Sequence, residues 1–223
     1  MPLADRVHIA RRFQRSIRID TDLGDKNALD GFVCPASSGD VLRTMARHVS
    51  ETGQGAFTWT GPYGSGKSSL VVVLSALLSG NKRLRKQAEA TVGPETALAV
   101  QSALEPKSKG WCVIPVVGRR DNPADVIGEA LEHSPDWDGE APEKWTETLV
   151  LEALEGLSKA SPRSSGGLIL FLDEMGKFLE AAARDGADVY LFQQLAELAS
   201  RSHGRLIVIG VLHQAFEEYA HRL

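Results

Sequence analysis

The sequence predicts an α/β fold in which a mainly parallel β-sheet lies between two layers of helices. Three observations lead to this prediction. Short, largely apolar runs alternate with helix-like segments, as expected when both faces of a parallel sheet are covered. A glycine-rich turn joins the first of these runs to the helix after it. Another apolar run stops at two adjacent carboxylates.

Composition narrows the class of protein. The chain has 223 residues, 43% of them hydrophobic, and a formal net charge of -4, so we expect one good-sized core without the basic field of a nucleic-acid coat protein. Cys34 and Cys112 stand far apart, which argues against a zinc site or a disulfide framework. The first residues lack the apolar region of a secretory signal, and the longest apolar stretch, VVVLSALL, is too short to cross a bilayer. A cytoplasmic protein is predicted.

The elements of the N-terminal half are predicted in order. Residues 1–39 are polar and turn-rich and are expected to form an irregular N-terminal segment, whereas residues 40–223 form the core domain. Asp40 is predicted to cap the helix DVLRTMARHVS, whose apolar residues fall at helical spacing. A short strand at 56–60 leads through a tight turn into a helix at about 67–78.

The second half continues the alternation. Residues 81–109 are charged, helical in composition at first and loop-like afterwards. WCVIPVVG, at 111–118, is an apolar run of buried-strand type, and the next helix takes Asn122 as its cap and Pro123 at its first position. The remaining elements are predicted as a helix at about 144–158, a strand at 168–172, one or two helices to about 201, a strand at 205–211 and a helix from about 215.

The turn after the first strand, GPYGSGKS, carries a phosphate-binding motif. Its glycines, lysine and serine fit G-x-x-x-x-G-K-[ST] without a mismatch, between a strand and a helix as the motif requires. Backbone N–H groups of such a loop, and the positive end of the helix, face phosphate oxygens. Lys67 is expected to reach the β- and γ-phosphates, and the Ser68 hydroxyl to bind Mg²⁺. The predicted nucleotide-binding residues are Gly61, Pro62, Tyr63, Gly64, Ser65, Gly66, Lys67, Ser68 and Ser69.

The run LILFL ends at Asp173 and Glu174. Taken alone, the pair equally fits the acidic first turn of a helix, which the helix dipole favours, or a metal-and-water site. A phosphate loop needs a carboxylate for Mg²⁺ at the end of a neighbouring buried strand, so the upstream motif favours the second interpretation. Asp173 is therefore predicted to bind Mg²⁺ with Ser68. Glu174 is predicted to orient or deprotonate the attacking water, which suits hydrolysis better than transfer to an acceptor.

GPYGSGKSS followed by LILFLDE resembles the P-loop NTPases that have a catalytic glutamate and an additional central strand, and is most similar to AAA-type ATPase domains. The resemblance covers about residues 40–220, although only the two motifs are specific. It implies a three-layer αβα P-loop NTPase fold, with ATP and Mg²⁺ as the cofactors. It also implies a strand between the two motif strands that ends in a polar residue near the γ-phosphate. RLIVIGVLHQ has two candidates for this polar residue, His213 and Gln214, and His213 is assigned to catalysis. The family usually has Asn, Thr or Ser there, so an ordinary strand end stays an alternative.

Other parts of the family pattern are not matched. The family usually has a fifth strand and a helical lid after the sensor strand. Neither is recognised, so the core is predicted to be incomplete at its C-terminus, or the N-terminal part of a larger polypeptide. The stretch ALDGFVCPASSGDVLRTMARHV resembles the region that packs over adenine and the N-terminal part of large bacterial ATP-binding proteins. Such sites are often completed by an arginine after self-association; the candidates, each of which also suits a solvated surface, are Arg119, Arg120, Arg201 and Arg222.

Two functions are carried forward. The first is an ATPase that releases ADP and phosphate and drives a conformational or remodelling step. The second is a slow-hydrolysing, nucleotide-gated signalling switch in which bound ATP holds a conformation. A kinase is disfavoured because no acceptor-binding signature is found. The basic stretch KRLRK at 82–86 is better explained as a charged helix face than as a nucleic-acid contact, given the acidic net charge. The sequence indicates neither a nucleic-acid nor a protein partner.

Overall fold

The computed structural model describes residues 17–25, 27–160, 165–185 and 189–214. Within these ranges a four-stranded sheet, parallel throughout, has the strand order β1-β4-β3-β2. Every strand starts and ends within one residue of its predicted bounds, so the predicted α/β fold with a parallel sheet is confirmed. The strands are β1 Ala56–Thr60, β2 Cys112–Val117, β3 Leu168–Asp173 and β4 Leu206–Leu212.

Helices cover both faces of the sheet. Two hydrophobic clusters lie on opposite faces, the first built mainly by α2 to α5 and the second by α6 to α9. Strand β3 contributes to both, because successive side chains of a strand point to opposite faces. The three layers that the resemblance implied are therefore present. The helices are α1 Ile19–Asp22, α2 Ala36–Thr52, α3 Lys67–Leu77, α4 Lys82–Val92, α5 Pro94–Leu104, α6 Pro123–Glu132, α7 Glu147–Ala160, α8 Gly176–Asp185 and α9 Tyr190–Arg201.

Burial differs between central and edge strands. Every residue of β3 and β4 is buried, which explains why both read as continuous apolar runs rather than as alternating patterns. Strands β1 and β2 form the two edges of the described sheet. Pro115 lies within β2, where its missing N–H is tolerated because an edge strand pairs on one side only.

Helix α2 begins four residues earlier than the sequence pattern indicated. It starts at Ala36 with Pro35 at the cap position, so the prediction that Asp40 caps this helix is wrong. Asp40 lies within the first two turns and accepts a hydrogen bond from Arg43 at 2.5 Å. Helix α1 and the start of α2 thus lie in the segment predicted to be irregular. The division of the chain at residue 39 stays a prediction.

Two helices occupy most of the segment between α3 and β2. Asn81 caps α4 by accepting hydrogen bonds from the backbone N–H groups of Arg83 and Leu84. Pro94 stands at the first position of α5. The loop predicted in this segment is confined to residues 105–109 and the residues next to them. The basic stretch at 82–86 lies on α4, as expected for a charged helix face.

Some predictions fall outside the described residues. The helix expected from about residue 215, and Arg222 within it, are among them, and so the fifth strand and the lid are not tested. Among the helices that the structure describes, none combines the length and the apolar composition needed to cross a membrane.

Gly128 of α6 allows Trp145 to pack directly on the helix. A Cβ at this position would lie 2.1 Å from Trp145 Cγ, and Trp145 is buried. We therefore expect Gly128→Ala to lower the free energy of unfolding by about 1–3 kcal/mol, as overpacking does. Gly156→Ala in α7 is the matched control, because no described residue outside the helix's own backbone lies within 4 Å of its Cβ position. It should stabilise by roughly 0.5–1 kcal/mol. Urea unfolding measures both variants, and an unchanged midpoint for Gly128→Ala would contradict the packing.

Candidate functional site

Three neighbouring strands have their carboxyl ends on the same side of the sheet, and the predicted site residues come together there. Strand β1 ends at Thr60, β4 at Leu212 and β3 at Asp173, and the parallel register aligns Thr60 with Leu212. Because β4 lies between β1 and β3, the residues after β4 lie between the glycine-rich loop and the carboxylate pair. The predicted strand between the two motif strands is thus confirmed.

The loop between β1 and α3 depends on glycine at two positions. Gly64 and Gly66 have φ angles of 76° and 85°, in the left-handed region that glycine adopts at little cost. Gly66 stands at the cap position of α3, and in the part of the chain that the structure describes no side chain caps this helix. The N–H groups of the first turn of α3 therefore remain available at the positive end of the helix dipole. Such an arrangement binds anionic groups.

Lys67 folds back over the loop. Its Nζ donates to the backbone oxygens of Gly61 at 2.6 Å and Pro62 at 2.8 Å, and to Ser65 Oγ at 3.3 Å. Burial lowers the pKa of Lys67, and the negative charge of Asp173 opposes this shift. The ammonium group of Lys67 therefore lies within the loop, hydrogen-bonded to carbonyl oxygens. Phosphate oxygens can take the place of these carbonyl oxygens as acceptors.

Ser68 and Asp173 meet where α3 passes the end of β3. The Ser68 hydroxyl donates to Asp173 Oδ2 at 2.9 Å, while Oδ1 accepts the backbone N–H of Glu174 at 3.0 Å. Asp173 is only 6% exposed. A hydroxyl and a carboxylate suit Mg²⁺, which takes oxygen ligands and usually keeps several waters or substrate phosphates. No group of three or more His, Cys, Asp or Glu suited to a metal occurs among the described residues.

Glu174 follows β3 in a left-handed backbone conformation. Its φ of 52° is uncommon for a residue other than glycine. Its carboxylate pairs with Lys177, and its carbonyl oxygen accepts the Lys177 N–H at 2.9 Å. Gly118 packs against the same peptide, since a Cβ there would lie 2.4 Å from the Glu174 carbonyl oxygen. The sequence analysis did not predict this ion pair, although the i,i+3 spacing of Glu174 and Lys177 is its signal.

His213 follows β4 and contacts the glycine-rich loop. Its ring stacks on Tyr63, with ring centroids 3.6 Å apart and an interplanar angle of 21°. Burial lowers the pKa of His213 and the charge of Lys67 lowers it further, whereas the charges of Glu174 and Asp173 oppose these shifts. Gln214, the alternative sensor, is exposed. The structure thus brings His213 to the loop, and the contact with Tyr63 was missed because the motif leaves that loop position free.

Two of the candidate arginines have local partners. Arg119 donates to both carboxylate oxygens of Glu129, at 2.7 and 2.6 Å, and Arg120 pairs with Glu180 at 3.2 Å. Arg201 ends α9 with an exposed side chain. These contacts suit solvated surface arginines, whose pairs contribute little. Whether any of them completes the site of a neighbouring subunit stays a prediction.

A cavity of about 670 Å³ is lined by neither residues 61–69 nor Asp173 and Glu174. It runs along the free side of β2, between α1, α3 and α6. Arg119 and Glu129 line this cavity and form an ion pair, so each compensates the charge of the other. The candidate site is built from backbone N–H groups and converging side chains at the strand ends, outside this cavity.

Comparison with known proteins returns matches among solved structures only. No protein-family model and no curated protein matches the chain. PCH-2 of C. elegans matches over 89% of this chain and 45% of its own, at 9% identity and a TM-score of 0.43. The ORC2 protein of Aeropyrum pernix, solved as ADPNP-ADP complexes, matches over 87% and 48%, at 15% identity and a TM-score of 0.46. This chain therefore spans less than half the length of either protein.

The topology itself defines the fold. The sheet is parallel, β4 separates β1 from β3, and the glycine-rich loop joins β1 directly to α3. This is a three-layer αβα, P-loop NTPase-like fold.

Proposed function

We propose that this protein binds Mg²⁺·ATP at residues 61–69 and hydrolyses it to ADP and phosphate. The observation that carries the proposal is the hydrogen bond of 2.9 Å from Ser68 to Asp173. It joins the hydroxyl of the phosphate-binding motif to the carboxylate at the end of a neighbouring buried strand. These are the two protein groups that hold Mg²⁺ in a P-loop site, and they come from segments far apart in the chain.

The loop supplies the binding groups for the phosphates. Its free N–H groups face the β-phosphate, and Lys67 exchanges the carbonyl oxygens of Gly61 and Pro62 for β- and γ-phosphate oxygens. Ser68 and Asp173 would hold Mg²⁺, which neutralises charge on the phosphates when bound. Adenine is proposed as the base because of the resemblance to AAA-type domains.

The groups beside the loop supply the chemistry. Glu174 orients the attacking water and accepts its proton, since it directly follows Asp173 at the carboxyl end of β3. His213, between the loop and the carboxylates, donates an N–H to the γ-phosphate. We propose that ATP hydrolysis drives a conformational or remodelling step.

Asp173→Asn tests the metal site. Asparagine keeps an acceptor for the Ser68 hydroxyl but removes the charge that holds Mg²⁺. Phosphate release should fall on the order of 10²–10³-fold, and the Mg²⁺ concentration for half-maximal activity should rise. Asp121→Asn, which alters an exposed carboxylate after β2, is the control. A variant Asp173→Asn with the Mg²⁺ dependence of the wild type would contradict the assignment of Asp173.

The ion pair between Glu174 and Lys177 favours a second candidate, the slow-hydrolysing switch. An ammonium group on the catalytic carboxylate competes with water for its oxygens, so bound ATP would persist and hold one conformation. Phosphate release separates the two candidates: steady turnover supports the ATPase, and a single slow turnover per chain supports the switch. The same assay with DNA, RNA or candidate proteins, and the mass in solution with ATP, tests for partners and self-association.

A further inference from the structure

Tyr63 occupies a loop position that the phosphate-binding motif leaves free. Its side chain is 79% exposed, although large aromatic rings lose favourable burial at such positions. Among the described residues the ring makes one close aromatic contact, the stack on His213. This contact links the loop after β1 to the end of β4. The motif accounts for the glycines, Lys67 and Ser68 of the loop but not for this tyrosine.

The nitrogen atoms of His213 are the second observation. Both Nδ1 and Nε2 are buried, and no described residue offers either of them a hydrogen-bond partner. Buried polar atoms in folded proteins nearly always have a partner, so this ring is set to meet an atom that the described part of the chain does not supply. A neutral imidazole carries one N–H donor, which matches an anionic oxygen.

The position of the ring identifies that oxygen. His213 lies between the loop and the carboxylates, close enough to Lys67, Asp173 and Glu174 for their charges to act on it. The γ-phosphate of a nucleotide bound in the loop is the anionic group expected there. A diphosphate would leave the imidazole without this partner.

We propose that Tyr63 is a positioning residue, whose ring fixes the His213 imidazole so that its N–H meets the γ-phosphate and the site prefers a triphosphate to a diphosphate. This inference rests on the proposed function. An imidazole rotates about two side-chain bonds, and a flat ring stacked 3.6 Å away limits both rotations. Without Tyr63 the nitrogens would become accessible to water, which would compete with the phosphate oxygen.

Affinities for Mg²⁺·ADP and for a non-hydrolysable Mg²⁺·ATP analogue test this role without relying on turnover. The variants are Tyr63→Ala, Tyr63→Phe, His213→Ala and the double alanine variant. We expect Tyr63→Ala to reduce the preference for the triphosphate by about tenfold, the value of one hydrogen bond to a charged group. The affinity for ADP should change little. Tyr63→Phe should restore the preference, because phenylalanine keeps the stacked ring.

The double alanine variant distinguishes positioning from an independent contact. If Tyr63 acts through His213, the double variant should lose no more preference than His213→Ala alone. Additive losses, or an unchanged preference in Tyr63→Ala, would overturn the inference. Tyr190→Ala, at another exposed tyrosine, is the control, and circular dichroism establishes that each variant is folded. If wild-type protein and Lys67→Ala bind nucleotide equally, the proposed function itself fails, which is a different result.

Discussion

Glu174→Gln is expected to remove most ATP turnover while nucleotide binding remains. Glutamine keeps the size of the side chain but cannot accept a proton from water, and general base catalysis contributes about 10²–10⁴-fold. Steady-state phosphate release should therefore fall by roughly that factor. Equilibrium binding of Mg²⁺·ATP, measured by calorimetry, should change little, because Glu174 follows the metal-binding residue and is not part of the loop.

The structure supplies a matched control for this variant. Glu174 pairs with Lys177 and Glu180 pairs with Arg120, and their side chains are 34% and 35% exposed. Both carboxylates are thus partly buried, and each loses an ion pair on conversion to glutamine. Glu180→Gln should retain wild-type turnover. Equal turnover in Glu174→Gln and Glu180→Gln would remove Glu174 from the catalytic role.

The strands were predictable because a strand buried on both faces of the sheet has an apolar sequence throughout. The large apolar residues of β3 and β4 all belong to one of the two hydrophobic clusters, and no polar residue interrupts either run before Asp173 and His213. The phosphate-binding loop was equally readable. Its backbone conformation requires glycine at Gly64 and Gly66, and these requirements are local in the sequence.

The start of α2 and the end of the segment before β2 were harder to predict. The first turn of α2 reads ASSG, which has no apolar periodicity, and Pro35 sets its start without a capping side chain. In α5 the small residues of PETALAVQSAL bury only one side and give a weak amphipathic pattern. Helix pattern rules fail where tertiary packing, rather than periodicity, sets the boundary.

Contacts across the site depend on strand order. The sequence indicated this order only through its resemblance to AAA-type ATPase domains. Ser68 and Asp173 were expected to act together, and their hydrogen bond agrees with that expectation. The stack of Tyr63 on His213 requires β4 to lie beside β1, so motif reading alone did not show it. The catalytic and metal-binding roles of these residues stay predictions.

Lys67→Ala should weaken nucleotide binding itself, in contrast to Glu174→Gln. The ammonium group is placed to make charge-assisted hydrogen bonds to phosphate oxygens, each contributing about 1.5–3 kcal/mol. The dissociation constant of Mg²⁺·ATP should therefore rise by about 10–150-fold, measured by calorimetry or fluorescence. The fold should survive, because the carbonyl oxygens that Lys67 now contacts belong to a surface loop that water can reach.

A second lysine variant separates loss of this contact from loss of charge. Lys159→Ala removes a lysine that is 68% exposed and paired with Glu155, far from the loop along the chain. It should bind Mg²⁺·ATP like the wild type. Lys67→Arg should restore binding poorly, because the planar guanidinium does not replace a compact ammonium group inside the loop. If Lys67→Ala binds Mg²⁺·ATP as tightly as Lys159→Ala, residues 61–69 are not a phosphate-binding loop.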